Sequence, residues 1–271
     1  MHRDLGTIDG SIVLFGGPYS NLQATRALLN EAFTLGCSGH RLICTGDVVA
    51  YAADPVGTVD AIMSSGAIVV AGNCEKQLSV GANDCGCGFE EGTTCDLLSA
   101  GWYAFAARHL TEQGRGWMMA CPDIVSFRHQ GARYAVIHGG FSAIARFIWP
   151  TSDLSIFTQE WALIEQAIGS VDHVVAGHCG IPFERVTPKG RWINAGVIGM
   201  PPHDGGQQTR YAILDGGEVR FHRLTYDVEA AFDAMVQADL TQGYHESLRS
   251  GYWPSEDILP EPLRAPSLAK G

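Results

Sequence analysis

Short apolar runs separated by amphipathic stretches of helical length are the feature that most restricts this chain. Ser11–Phe15 reads as a strand, and Asn21–Leu35 as a helix with Leu22, Leu28, Leu29 and Phe33 on one face. Arg41–Thr45 is a second strand. Pro55 stands in the first turn of a helix running to Ser64, with Asp54 as its N-cap, and Ala67–Ala71 is a third strand. Strands alternating with helices of this length require βαβ crossovers and a mostly parallel sheet.

The segment from Cys74 to Cys95 is rich in Gly and Cys and reads as irregular. Helices are expected over Asp96–His109 and Thr111–Ala120, then a hairpin of Ile124–Arg128 and Tyr134–His138. A helix at Leu154–Ile168 and a strand at Asp172–Ala176 follow. Beyond it the strands Glu184–Thr187, Trp192–Ala195, Arg210–Leu214 and Val219–Leu224 are joined by short turns. They predict a second, antiparallel sheet packed on the first in an α/β sandwich. A helix at Val228–Leu240 precedes a tail carrying Pro254, Pro260, Pro262 and Pro266, expected to be extended along the surface or partly disordered. Residues 1–225 thus read as one domain with an insertion at 74–95, and 226–271 as a C-terminal helix and Pro-rich tail packed on it.

Charge and cysteine content narrow the function. With 18 basic against 29 acidic residues the net charge is −11, which argues against general affinity for a nucleic-acid backbone. No apolar run is long enough to span a membrane, and Met1–Gly10 lacks the pattern of a secretory signal, so the expected location is the cytoplasm. In that compartment the eight cysteines are expected as thiols or metal ligands rather than disulfides. Cys37, Cys44 and Cys121 fall in element positions and read as core, as do Trp102, Trp117, Trp161 and Trp192.

The chemistry sits at strand ends. Asp47 follows the second strand in Thr-Gly-Asp, Asn73 the third in Ala-Gly-Asn-Cys-Glu, His138 ends the Ala135-Val-Ile strand, and His178 follows Val174-Val-Ala-Gly. Each alone has an ordinary reading as a turn cap, a helix cap or a buried histidine. Together they place four donors past the C-terminal ends of four strands, where open α/β sheets build their sites. One carboxylate, one amide oxygen and two imidazoles suit Mn, Fe or Zn.

The order Gly-Asp, Gly-Asn, His-Gly, Gly-His resembles the calcineurin-like metallophosphoesterases, particularly their bacterial phosphodiesterase-like branch. Asp47–Pro55, Ile193–Pro201 and Tyr226-Asp-Val-Glu-Ala are similar to that branch, and the likeness covers roughly residues 11–240. It implies a four-layer αββα sandwich, two mixed β-sheets flanked by helices, and hydrolysis of a phosphoric ester by a metal-bound hydroxide. The family's opening Asp-x-His stands here as Gly17-Pro-Tyr19, and its Gly-His-x-His as Gly177-His-Cys-Gly180. The resemblance therefore implies that the first-metal ligands are gone. Asp47, Asn73, His138 and His178, the second-metal set, remain, holding about one divalent ion per chain.

A one-metal enzyme would need help from Tyr19, Ser20, Asn21 or Glu75. Cys74 replaces the histidine that many relatives use on the leaving group or phosphate. His203, in Pro201-Pro202-His203-Asp204, stands where an Arg is often found. Asn21, Cys74 and Glu75 are thus catalytic candidates, and Tyr19, Ser20, Cys179 and His203 substrate-binding ones, for a small phosphorylated substrate. Two alternatives stay open: a binding protein without catalysis, and a second metal recruited by Cys179 and thiols of the 74–95 segment. That segment is expected to fold over the site, bringing Cys85, Cys87 or Phe89 near the vacated metal position.

Overall fold

A computed structural model of the chain describes residues 1–87 and 92–266, without the side chain of Asp96. Its strands are β1 (His2–Thr7), β2 (Ile12–Phe15), β3 (Leu42–Cys44), β4 (Ile68–Val69), β5 (Ile124–His129), β6 (Ala132–Val136), β7 (His173–Ala176), β8 (Phe183–Val186), β9 (Arg191–Asn194), β10 (Thr209–Asp215) and β11 (Glu218–Leu224). Its α-helices are α1 (Leu22–Thr34), α2 (Pro55–Ser65), α3 (Asn73–Val80), α4 (Thr94–His109), α5 (Glu112–Ala120), α6 (Leu154–Ile168), α7 (Val228–Gln237) and α8 (Tyr244–Ser250).

Two mixed sheets form, a six-stranded one in the order β1-β5-β6-β7-β9-β8 and a five-stranded one in the order β11-β10-β2-β3-β4. Period-two alternation of apolar residues makes both sheets two-faced. Along β2, Ile12 and Leu14 enter the layer between the sheets, while Val13 and Phe15 face the helices. In β6 and β7, Tyr134, Val136 and Val175 enter that same inter-sheet layer. Ala135, Val174 and Ala176 turn outward onto Phe157, Trp161 and Ile164 of α6. The result is the αββα sandwich that the resemblance implies.

Two expectations are corrected, and one strand is added. The late strands do not make a sheet of their own. β8 and β9 extend the six-stranded sheet, whereas β10 runs antiparallel to β2 and joins the five-stranded one. The N-terminal residues, to which the sequence pattern assigns no element, add β1 parallel to β5. The start of the 74–95 segment is helix α3, ended by Gly81 in the left-handed conformation.

The proline-bearing tail is tied down. His203 is buried, its Nδ1 accepting from Trp253 N–H at 2.8 Å and its Nε2 lying 2.8 Å from Glu256 Oε1. Trp253 Nε1–H donates to the Pro201 carbonyl at 2.7 Å. His203, expected to meet substrate, is instead the anchor of this strap. No helix among the described residues is long and apolar enough to cross a membrane.

His203→Ala should therefore free the strap while leaving the sandwich folded. Loss of the acceptor for Trp253 N–H should cost roughly 1–3 kcal/mol, read as faster tryptic cleavage at Arg249 and Arg264 with an unchanged far-UV spectrum. Unaltered cleavage would contradict this anchoring role.

Candidate metal centre

The loops that leave β3, β4, β6 and β7 bring four donors together from both sheets. Asn73 Oδ1 lies 3.0 Å from His138 Nε2, which is 3.0 Å from His178 Nδ1 and 3.2 Å from Asp47 Oδ2. His178 Nδ1 to Asp47 Oδ2 is 4.0 Å. Donors around an ion bound at ~2.0–2.2 Å stand about this far apart. All four residues are buried.

Three of the four donors are aimed by a partner behind them, whereas His178 Nε2 is buried without one. His138 Nδ1–H donates to the Thr45 carbonyl at 2.6 Å, which leaves the Nε2 lone pair facing the cluster. Asn73 Nδ2–H donates to the Cys85 carbonyl at 2.9 Å and lies 3.4 Å from Cys87 Sγ, so Oδ1 is turned inward. Asp47 Oδ1 accepts from Cys74 N–H at 3.1 Å. Glu75 accepts from the N–H groups of Gly72, Asp47 and Val48, each at 2.8 Å.

Electrostatics favours a cation here. Burial would raise the Asp47 pKa, but His138 and His178 bring it below its ordinary value. Burial would lower that of His138, but Asp47 and the Thr45 carbonyl raise it, so one positive charge is favoured between them. Burial and the His138 charge push His178 down to about 3. Burial and the Asp47 charge push Glu75 up to about 7, against its three backbone N–H groups. Backbone strain concentrates at the same place. Of the eight non-glycine residues with positive φ among the described residues, Tyr19, Ser20, Asp47, Tyr51 and His178 lie in the loops that build the site.

Gly17 and Gly180, where the resemblance would put carboxylate and imidazole ligands, are covered by aromatic rings. A Cβ on Gly17 (φ +38°) would stand 2.5 Å from Tyr19 Cζ, and one on Gly180 (φ +74°) 3.2 Å from Trp253 Cζ2. The half-site is filled as well as altered. Over the cluster lies a cavity of about 50 Å³ walled by Tyr19, Tyr51, Phe147 and Tyr244 and roofed by Trp253 and Ile258.

Other sequence candidates are placed as follows. Cys179 lines the cavity, with Asn194 Nδ2–H directed at its Sγ at 3.1 Å. Asn21 is consumed as the N-cap of α1, accepting from Ala24 N–H and donating to the Gly199 carbonyl. Ser20 Oγ is buried without a partner. The Cys74 thiol packs in the core, where burial raises its pKa well above the ordinary value, and Glu75 braces the Asp47 loop. Asn21 and Glu75 thus spend their polar atoms on a helix cap and a loop, while the Cys74 thiol lies 3.6 Å from the Asn73 amide nitrogen, beside the donor cluster.

Cys85 and Cys87 form a disulfide, contrary to the expectation of free thiols; one residue apart from bonding neighbours, their Cα atoms come within 5.2 Å. Cys87 lines the cavity, while Phe89 lies outside the described residues. Tyr51, Tyr244, Phe147 and Trp253 were not read as site residues. Only Tyr51 carried a signal, its place four residues after Asp47 within the Asp47–Pro55 stretch.

No family model matches the chain. It is 22% identical over 263 residues to an uncharacterized protein of Methanocaldococcus jannaschii, covering 90% of this chain and 99% of that one. In structure it is similar to a metallophosphoesterase from Sphaerobacter thermophilus, with a TM-score of 0.70 and 18% identity over 90% of this chain and 100% of the other. A hypothetical protein from Pyrococcus horikoshii OT3 superposes with a TM-score of 0.73 and 16% identity, covering 90% and 98%. Likeness at this level shows the fold, which is that of the metallophosphoesterases.

Because the Tyr19 ring occupies the space a residue-17 side chain would need, Gly17→Ala should cost roughly 1–3 kcal/mol in denaturant unfolding. The same change made with Tyr19→Ala should cost less than the sum of the two single changes. Simple additivity would show that the ring does not fill the half-site.

Proposed function

From the metallophosphoesterase fold and the four converging donors, we propose that this chain hydrolyses a phosphoric ester with one divalent metal. Asp47 Oδ2, Asn73 Oδ1, His138 Nε2 and His178 Nδ1 would hold it. The observation that carries this reading is the convergence of a carboxylate, an amide oxygen and two imidazoles at 3.0–4.0 Å from loops of both sheets. When bound, a Mn, Fe or Zn ion supplies Lewis acidity toward a phosphoryl oxygen and acidifies a water.

The chain's own residues set up that chemistry. Thr45 holds the His138 tautomer, and the Cys85 carbonyl holds the Asn73 amide. Glu75 fixes the loop in which Asp47 adopts its left-handed backbone. The aromatic walls and the Trp253 roof make the lining largely apolar, which strengthens electrostatic interactions inside. Tyr19 and Trp253 stand where a second ion would need ligands, so the clamp of a two-metal site on attacking and leaving oxygens is missing in this reading.

Protein purified without chelator should carry about one equivalent of divalent metal per chain by elemental analysis. Asp47→Asn and His178→Ala should each remove the metal and abolish hydrolysis of generic phosphate esters. Metal-loaded wild type that is inactive across a broad ester panel would favour a binding protein on the same scaffold. Two equivalents would contradict the one-metal reading.

A further inference from the structure

The cavity over the metal centre is unusual in charge. Among the described residues that line it, no Lys or Arg is present, and Asp47 is the one acidic residue. Glu75 is turned behind the loop onto three backbone N–H groups. A phosphate entering here meets none of the guanidinium or ammonium groups that usually neutralise phosphoryl oxygens.

What the cavity does offer is a row of tyrosines. Tyr19 and Tyr51 pack edge-on with ring centroids 4.8 Å apart, and Tyr51 and Tyr244 follow at 4.4 Å. All three line the cavity, and among the described residues none of their hydroxyls has a hydrogen-bond partner. A phenol is a neutral donor at physiological pH. Tyrosine hydroxyls without partners in the lining of this cavity are therefore suited to donating to phosphoryl oxygens without adding charge.

We propose that Tyr19, Tyr51 and Tyr244 form a neutral clamp that selects a monoanionic phosphodiester bearing an aryl or other planar apolar substituent, over a dianionic phosphomonoester. This rests on the phosphoesterase reading of the metal centre. The selection follows from charge. A divalent ion beside the Asp47 carboxylate leaves one net positive charge, which a monoanion balances and a dianion exceeds. The excess charge would sit against apolar walls with no cation to meet it. The substituent is set by those walls: Trp253 and the tyrosines offer ring edges and faces for stacking. With about 50 Å³ of free space, entry of such a group requires the roof of Trp253 and Ile258 to shift.

Calorimetry of the Mn²⁺-loaded protein with diphenyl phosphate and with phenyl phosphate tests this, alongside hydrolysis of bis(4-nitrophenyl) phosphate and 4-nitrophenyl phosphate. Diphenyl phosphate should bind at least about tenfold tighter than phenyl phosphate. Tyr51→Phe and Tyr244→Phe should each weaken it roughly two- to tenfold, the effect of one hydrogen bond, with bound metal unchanged. Tyr244→Lys should move the preference toward phenyl phosphate. Equal or tighter binding of phenyl phosphate, or phenylalanine variants that bind diphenyl phosphate as wild type does, overturns the clamp. Tight diphenyl phosphate binding with no hydrolysis of either ester would sink the catalytic reading and leave the clamp standing. Hydrolysis without diester preference would do the reverse.

Discussion

One hydrogen bond ties the site to the fold. His138 follows β6 of the six-stranded sheet, Thr45 follows β3 of the five-stranded sheet, and the Nδ1–H of one donates to the carbonyl of the other at 2.6 Å. The contact joins the two sheets at their C-terminal ends and decides which imidazole nitrogen faces the cluster. Asp47 lies two residues past Thr45, so the same loop that accepts this bond delivers the carboxylate. It works alongside the apolar layer between the sheets and the Gly16–Val197 bridge to fix the two halves of the donor set against each other.

The Tyr19 and Trp253 rings shape the rest of the cavity. Where Tyr19 covers Gly17 and Trp253 covers Gly180, the space cannot take the ligands of a second ion without moving both rings. Trp253 in turn is held by His203 and Pro201, so a residue far from the cluster in sequence controls what covers it. The positive backbone angles of Tyr19, Asp47, Tyr51 and His178 mark the same loops. Strain of that kind persists where surrounding contacts over-determine the backbone, as they do where two sheets and a C-terminal strap meet.

Much of this was legible in the sequence because apolar period and strand-end position are local signals. Ile12, Val13, Leu14 and Phe15 announce a strand buried on both faces, and the Asp54-Pro55 pair marks the start of α2 with its cap. The four donors could be found because each follows a strand. What could not be read is non-local. The pairing of β10 with β2 spans the whole chain, and nothing near His2–Thr7 announces that it will lie beside β5. Tyr244 and Trp253 sit in a stretch whose prolines and polar residues suggest a loose tail, and only the anchor at His203 brings them to the site. Asn21 and Glu75 looked chemical because their types are, yet their hydrogen bonds are spent on a helix cap and a loop.

The central claim is that one ion, in one place, organises this site. Diffraction from crystals of the Mn²⁺-loaded protein, recorded with anomalous scattering from the metal, tests it most directly. The account predicts a single anomalous peak enclosed by Asp47, Asn73, His138 and His178, with the Tyr19 and Trp253 rings still over Gly17 and Gly180. A pair of peaks ~3.5–4 Å apart, the spacing of two-metal sites, or a peak away from these four residues would contradict it.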